Sequence, residues 1–295
     1  MKLYKKIITA LLLTGSSALF AQQESIFSFY RYQMNLVNPA YVAVDNKTVI
    51  SSAIRNQWSG IQDAPQTQAV TFGTPLGKNT GLGLSMVRDK TFIEQQTFLA
   101  VDFSCKVQLT RSTNLHFGLK AGGNFYNVNT AGLLTYNLAS DPALRSINTF
   151  VPNVGVGALL KYKDFFKSLS VPRILNSERA KNVDGFATVA TDRPHVYWSS
   201  GYDFHLDDKN YLILKPSFML RYVNDAPVSV DFNTMLNIHD IVEVGGTYRT
   251  DNAYAGLVNF KISKKLIVGY VYEMSSRAEL ARARNTNELL LSFEF

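Results

Sequence analysis

The sequence predicts an all-β fold: a transmembrane, antiparallel, up-and-down β-barrel of about 14 strands. Three observations point to this fold class. The chain ends in a strand with one apolar face, alternating segments of strand length recur along most of the sequence, and most connections between them are short and polar. Alternation with a period of two is typical of strands, whereas an amphipathic helix repeats its apolar residues every three or four positions.

The final strand, residues 287–295, carries the first observation. Leu290 alone breaks the polar character of its second face. A soluble protein would have to protect such an edge, whereas a barrel pairs its last strand with its first. A last strand of this kind is also typical of outer-membrane proteins recognised by their assembly machinery, and a buried strand of a soluble sandwich is the alternative. The residues that we assign to barrel assembly are Leu289, Leu291, Phe293 and Phe295.

The composition excludes several classes of protein. After residue 21, no uninterrupted apolar run approaches the roughly 20 residues of a membrane helix, which excludes a helical membrane protein. A mean hydropathy of −0.04 is compatible with a barrel, because half of each strand faces a polar interior. The single cysteine, Cys105, excludes an internal disulfide framework. Basic residues are scattered along the chain, so we expect no nucleic acid partner.

Residues 1–21 are predicted to be a signal peptide that exports the chain through the Sec pathway. Three lysines precede an apolar core, residues 7–20, that is too short to span a membrane. Cleavage after Ala21 would remove those lysines and no acidic residue, which lowers the net charge from +7 to +4. Leu19 departs from the small-residue rule for the cleavage site, so the sequence does not fix which bond is cleaved.

The mature chain divides into two parts. Residues 22–46 are rich in aromatic residues and alternate only weakly up to an Asn-Pro turn signal, which predicts a periplasmic or plug-like lead-in. A first strand is the alternative for this segment. Residues 47–295 are predicted to form the outer-membrane barrel. Its clearest strands are 47–58, 66–76, 81–89, 95–109, 113–128, 195–206, 210–223, 227–238, 241–250, 252–263, 265–274 and 285–295.

The strand count is set by a rule of barrel architecture. About 13 strands are recognisable, and a single-chain outer-membrane barrel normally has an even number, so we predict about 14. Two longer connections, 131–149 and 164–194, interrupt the pattern. Connections of that length are usually functional or disordered.

Charged residues of both signs occupy the strand faces opposite the apolar ones. If the apolar faces contact lipid, these side chains point into the lumen. We expect them to pair across it and fill it, and a hydrated pore is the alternative. The residues are Arg55, Asp102, Lys106, Lys120, Lys215, Arg221, Glu243, Arg249, Lys261 and Glu273.

Catalytic patterns are not found in the sequence. The four histidines are far apart and form no zinc-binding motif, and the Gly-x-Ser-x-Gly motif of esterases does not occur. Glycine pairs such as Gly81 with Gly83 and Gly155 with Gly157 lie inside predicted strands, which indicates bends or close packing rather than phosphate loops. We therefore expect a protein without metal or cofactor that is not an enzyme.

A series of motifs, in a fixed order, adds a family resemblance. The first runs from Phe29 to Tyr41 and contains Tyr-Gln-Met-Asn followed by Asn-Pro-Ala-Tyr. With the later motifs, it makes the chain resemble the PorP/SprF family, outer-membrane components associated with the type IX secretion system of Bacteroidetes. Val42 and Glu273 depart from the residues common in the family. The later motifs lie at 55–60, 64–67, 81–83, 152–157, 214–217, 246–249, 269–272 and 287–289.

The resemblance implies a non-enzymatic, integral outer-membrane barrel that supports secretion or surface attachment of cargo with a type IX C-terminal signal, such as gliding adhesins. Its implied partners are the periplasmic ring and translocon of the system, the C-terminal domain of a secreted surface protein, and outer-membrane lipid. A barrel of this size is too narrow for folded cargo. A porin-like solute channel and an outer-membrane enzyme are the alternatives.

Two clusters, which belong to the first two motifs, are candidates for a partner or plug site. A structural anchor that closes the periplasmic mouth of the barrel is the alternative reading. The residues are Asn38, Pro39, Tyr41, Arg55, Gln57 and Trp58.

Overall fold

The structure is a computed structural model that describes residues 27–129, 147–178, 191–209, 211–250, 253–275 and 285–295. The predicted signal peptide and its cleavage site lie outside these residues, as does most of the predicted connection 131–149. Among the described residues, no helix is long and apolar enough to cross a membrane.

Within the described ranges, 14 antiparallel strands form one closed barrel, as the sequence predicted. Each strand pairs with its neighbours along the chain, and the first pairs with the last. The strands are β1 (Val49–Gln57), β2 (Gln66–Pro75), β3 (Thr80–Thr91), β4 (Glu94–Gln108), β5 (Thr113–Val128), β6 (Ile147–Tyr162), β7 (Phe165–Val171), β8 (His195–Tyr202), β9 (Leu212–Val223), β10 (Ser229–Ile238), β11 (Val242–Arg249), β12 (Ala253–Lys261), β13 (Leu266–Ser275) and β14 (Asn285–Glu294).

Three two-residue strands accompany this barrel in the described part of the chain. Ser177–Glu178 pairs with Thr191–Asp192 in the connection between β7 and β8. Phe204–His205 follows β8 and continues its pairing with β9. None of the three adds a strand to the barrel wall.

The closing seam joins β1 to β14 from the pair Val49–Glu294 to the pair Gln57–Thr286. Both ends of the barrel sequence therefore lie at one mouth, which we call the termini mouth. The connections after β5, β7 and β13 leave from the other, which we call the loop mouth. Short turns of outer-membrane barrels are periplasmic and long loops extracellular, so the termini mouth faces the periplasm.

Strand β4 shows how the two faces are used. Leu99, Val101 and Phe103 are exposed on the outer wall, while Asp102 and Ser104 are buried inside. This is the reverse of a soluble protein, where the exposed face is polar. The arrangement places an apolar surface against lipid and a polar surface in the lumen.

One strand of the barrel was not recognised in the sequence. The prediction that 164–194 is a connection is wrong for β7, in which Ser168 and Ser170 are buried and Lys167 and Leu169 are exposed. The alternation lasts only seven residues. It ends at Pro172, which has no N–H to donate to a sheet, so the pattern is too short to stand out. The first residues of β6, 147–149, likewise fall inside the other predicted connection.

The closing strand offers a test of the lipid-facing wall. Leu289 lies near the middle of β14 with its side chain exposed on the outer face. We expect Leu289→Arg to cost roughly 2–4 kcal/mol of barrel stability, because a charge near the bilayer centre is desolvated. Urea unfolding of protein refolded into lipid vesicles, followed by gel mobility, measures the effect.

The matched control is Leu109→Arg, since Leu109 is equally apolar and exposed but lies in the turn after β4 at the termini mouth. Equal destabilisation by the two substitutions would contradict the assignment of the outer wall to lipid.

Candidate functional site: a plugged lumen

Residues 27–46 lie inside the barrel, and we call them the plug. Within it, Tyr30–Tyr32, Met34–Leu36 and Pro39–Tyr41 form short 3₁₀ helices. Asn38 starts the last of them by accepting a hydrogen bond from the Ala40 N–H at 2.9 Å. Pro39 follows with its φ angle already suited to a helix. Tight single turns of this kind keep the plug compact enough for the lumen.

Polar contacts join the plug to strands on several sides of the lumen. The wall supplies hydroxyl and ammonium groups that donate hydrogen bonds to plug carbonyls, which satisfies backbone groups that are cut off from water. The contacts are Tyr30 Oη with Ser217 Oγ (2.8 Å), Lys120 Nζ to the Asn35 carbonyl (3.0 Å), Ser170 Oγ to the Val37 carbonyl (2.8 Å) and Ser104 Oγ to the Val42 carbonyl (2.7 Å).

Two wall glycines make room for the plug backbone. A Cβ atom added at Gly118 of β5 would lie 2.2 Å from the backbone nitrogen of Ala40. One added at Gly157 of β6 would lie 2.0 Å from Asn38 Oδ1. The close packing expected of Gly157 from the sequence is thus a contact between the wall and the plug.

A buried ionic cluster spans β1, β13 and β14, with Arg55 at its centre. The guanidinium lies 2.6 Å from Glu273 Oε1 and also pairs with Glu288. Arg249 continues the cluster, because it lies 3.4 Å from Glu273 and 2.7 Å from Asp231. Charges removed from water in this way stay bound only when well paired, because desolvation of each ion is costly.

The plug completes this cluster through Ser28. Its backbone N–H donates to Glu288 Oε2 at 2.9 Å, and its hydroxyl lies 3.3 Å from Glu273 Oε2. Beside it, Phe27 and Phe29 pack on an apolar patch of the inner wall that includes Leu290. Leu290, the residue that breaks the alternation of β14, therefore belongs to the surface on which the plug packs.

Other charges predicted to line the lumen are also paired. Lys120 lies 2.7 Å from Asp102, and Lys215 lies 2.5 Å from Glu243. Tyr32 of the plug donates a hydrogen bond to Glu243. The expectation that charges fill the lumen by pairing is confirmed for these residues. Lys261 is at the edge, where it pairs with the exposed Asp240 at 2.5 Å.

The structure divides the six residues proposed for a partner or plug site. Asn38 and Pro39 are buried in the plug, where they lie against Gly157 and Gly118 of the wall. Arg55 is buried elsewhere in the lumen, as the centre of the ionic cluster. Gln57 instead ends β1 at the loop mouth, and Trp58 follows it with a positive φ of 52°. The second cluster of the sequence is thus divided between the lumen, which contains Arg55, and the loop mouth.

The sixth residue, Tyr41, lies at the periplasmic side of the plug. Burial raises the pKa of its phenol to about 12, so the side chain stays uncharged. Its ring meets Phe166 edge-on, with 6.3 Å between centroids.

The four residues assigned to barrel assembly lie along the outer side of the closing seam. Leu289, Leu291 and Phe295 are exposed, and Phe293 is half-buried with its ring 4.9 Å from that of Phe295. Sequence reasoning missed Ser28 and Gln33, whose importance comes from the position of the plug. Glycines at inward-facing strand positions were the available signal that another segment packs against the wall.

The plug separates two cavities formed by the described residues, which share no lining residue. The vestibule, at the termini mouth, has a volume of about 670 Å³ and is lined by aromatic residues and charges of both signs, including Arg31, Tyr41, Lys161 and Asp203. The loop-side cavity, of about 90 Å³, is lined by Phe27, Gln33, Phe98 and Tyr197 among others.

Among the residues that the structure describes, no group of three or more His, Cys, Asp or Glu residues is placed to hold a metal ion. His116 is buried inside the wall.

Sequence comparison identifies the family. The model of the family described as "Type IX secretion system membrane protein PorP/SprF" matches residues 19–293. The chain belongs to the PorP/SprF family. The resemblance found in the sequence motifs is thereby confirmed, and this PorP/SprF protein is a membrane component of the type IX secretion system. No curated protein sequence matches the chain.

Solved structures agree with the fold. The outer membrane protein Omp33 of Acinetobacter baumannii is similar with a TM-score of 0.53 and 9% identity, over 85% of this chain and 98% of that one. The CymD monoaromatic hydrocarbon channel is similar with a TM-score of 0.52 and 9% identity, over 89% of this chain and 91% of that one. At this identity, the likeness concerns the fold alone. With the family, it places the PorP/SprF protein in the outer membrane as an integral barrel.

The ionic cluster generates a stability prediction. We expect Arg55→Leu to lower the free energy of unfolding by about 3–5 kcal/mol, because it leaves the buried Glu288 carboxylate without a counter-charge. Guanidinium unfolding of the refolded barrel measures it. The control is Lys47→Leu, which removes an exposed partner of Glu294 at 2.7 Å and is expected to cost no more than about 1 kcal/mol. Similar costs for both would contradict a central role for the cluster.

The packing of the plug generates a second prediction. Gly118→Leu should displace the plug without unfolding the barrel, because the new side chain takes the space of the Ala40 backbone. Single-channel recording should then show conductance that the wild type lacks. Gly256→Leu is the control, since a Cβ at Gly256 meets nothing within 4 Å. A folded Gly118→Leu barrel that conducts no more than the wild type would contradict this prediction.

Proposed function

We propose that this PorP/SprF barrel is a plugged docking component, not an enzyme, that supports secretion or surface attachment of cargo with a C-terminal signal, such as gliding adhesins. The observation that carries the proposal is the occupied lumen, in which the buried cluster of Arg55, Glu273 and Glu288 binds Ser28 of the plug. A barrel filled in this way offers its two mouths as binding surfaces.

The size of the barrel supports the same role. A wall of 14 strands encloses a lumen no wider than that of a porin, and the plug occupies part of it. Folded cargo therefore passes elsewhere in the secretion system, and this barrel acts on cargo by contact. The signal peptide at 1–21, the lead-in at 22–46 and the barrel from 47 onward are the divisions that this proposal assumes.

The vestibule is the proposed surface for periplasmic ring components, because it opens at the periplasmic mouth. Its rim carries charges of both signs, among them Lys161 and Lys163 and, opposite in sign, Asp164 and Asp203. Mixed charges at a rim steer and orient a partner more than they bind it. The half-buried aromatic rings deeper in the vestibule supply the apolar contact.

The loop mouth is the proposed surface for cargo, because it opens to the cell exterior. Trp58 is the largest side chain that the predicted site residues place there, in the turn after β1. Tryptophan is among the residues that most often dominate binding energy at interfaces. The C-terminal domain of a secreted surface protein is the partner we assign to it.

A porin-like solute channel is the second candidate. The vestibule of about 670 Å³ and the polar inner wall favour it, and it requires that the plug leave the lumen in the working state. Steady conductance of the wild-type barrel in planar bilayers would favour this candidate over the docking role.

The deciding experiment is affinity capture of the tagged full-length protein from detergent-solubilised outer membranes, with mass spectrometry of the proteins retained at high salt. We expect type IX secretion components together with a large surface protein held through its C-terminal domain. Recovery of neither, combined with single-channel conductance of the wild type, would overturn the docking role.

Capture also tests the loop-mouth surface. We expect Trp58→Ala to reduce recovery of the surface protein by roughly tenfold or more, as loss of an interface hot spot does, while ring components are retained. Phe92→Ala is the matched control, because Phe92 is an exposed aromatic residue with positive φ in another loop-mouth turn. Equal losses in the two variants would exclude a specific role for Trp58.

A further inference from the structure

The loop-side cavity has a largely apolar wall, to which both the plug and the barrel strands contribute. Phe27, Leu36 and Val37 contribute from the plug, and Val87 and Phe98 from strands β3 and β4. The cavity volume is about 90 Å³, which is space for a small group and not for a folded segment. Gln33 of the plug lines the same cavity.

The side-chain amide of Gln33 has no hydrogen-bond partner among the described residues. The residue is 1% exposed, and both Nε2 and Oε1 are buried. Buried polar groups nearly always have a partner, so an unpaired amide facing a cavity marks a place where a bound group supplies one. Its neighbour Tyr30, by contrast, is satisfied by Ser217.

An amide presents a donor and an acceptor side by side. A carboxylate offers only acceptors and an ammonium group only donors, so each leaves half of the Gln33 amide unpaired. One residue of an extended polypeptide presents its own N–H and C=O on the same side, which is the matching arrangement, and the apolar wall suits a small aliphatic side chain next to them. We propose that the loop-side cavity binds one residue, with a small apolar side chain, of an extended polypeptide that enters through the loop mouth.

The surroundings of the cavity agree with entry from that side. Asp89, Gln96 and Arg173 line it and are only partly buried, which places its polar rim toward the loop mouth. The guanidinium of Arg173 lies 5.3 Å from the centroid of the Phe98 ring. The plug closes the opposite side, and peptide binding here is independent of whether the barrel serves secretion.

The test uses the full-length protein in detergent and N-acetylalaninamide, which has the peptide group and a methyl side chain. Saturation-transfer NMR follows its binding. We expect saturable binding that weakens at least tenfold in Gln33→Met, which conserves volume and removes both polar atoms. Gln108→Met is the matched control, because Gln108 is exposed at the far end of β4. Pentan-2-one, an acceptor without a donor, should bind at least tenfold more weakly than the amide.

Binding of N-acetylalaninamide that is absent in the wild type, or unchanged in Gln33→Met, would overturn the proposal and leave a cavity occupied by water only. If Gln33→Met does not fold, Val87→Phe is the second variant, because it fills the cavity from β3 without altering the plug. Loss of binding in a folded Val87→Phe barrel supports the site, and unchanged binding overturns it.

Discussion

The structure depends on the buried interaction of Arg55 with Glu273 and Glu288. Ion pairs cut off from water contribute little net stability, since desolvation offsets most of their attraction. They are demanding about geometry, however, and here the geometry fixes three elements at once. Arg55 belongs to the first strand, Glu288 to the last, and Ser28 of the plug binds the carboxylates. The same set of interactions therefore joins the first strand to the last and positions the plug.

In the rest of the lumen, hydrogen bonds and close backbone packing hold the plug instead of ion pairs. Polar wall residues satisfy the backbone of the plug, as Ser104 does for the Val42 carbonyl at 2.7 Å. Glycines such as Gly118 and Gly157 allow the plug to approach the wall at backbone distance. An interior built from hydrogen bonds and paired charges can border the vestibule with its charged lining, which a purely apolar core could not. The plugged state and the polar inner wall are thus consistent with each other.

Much of the wall could be predicted from the sequence, because a period of two over ten or more residues is a local signal. The signal failed for β7, whose seven residues are too few. The path of the plug could not be predicted, because its contacts join residues far apart in sequence, as Ser28 and Glu288 do. Arg55 and Gln57 were grouped as one site, yet two residues along a strand span about 7 Å, which moves Gln57 to the mouth.

The pairing of Ser28 with Glu288, 260 positions apart in the chain, has a consequence for how the protein folds. The acceptor for the plug lies on the final strand, so the binding site of the plug does not exist until that strand has joined the wall. Contacts of such long range form slowly, because the intervening chain must be ordered before they contribute. A fully bound plug therefore indicates that the barrel has been completed. In an unfinished barrel, the N-terminal segment stays exposed to chaperones and proteases.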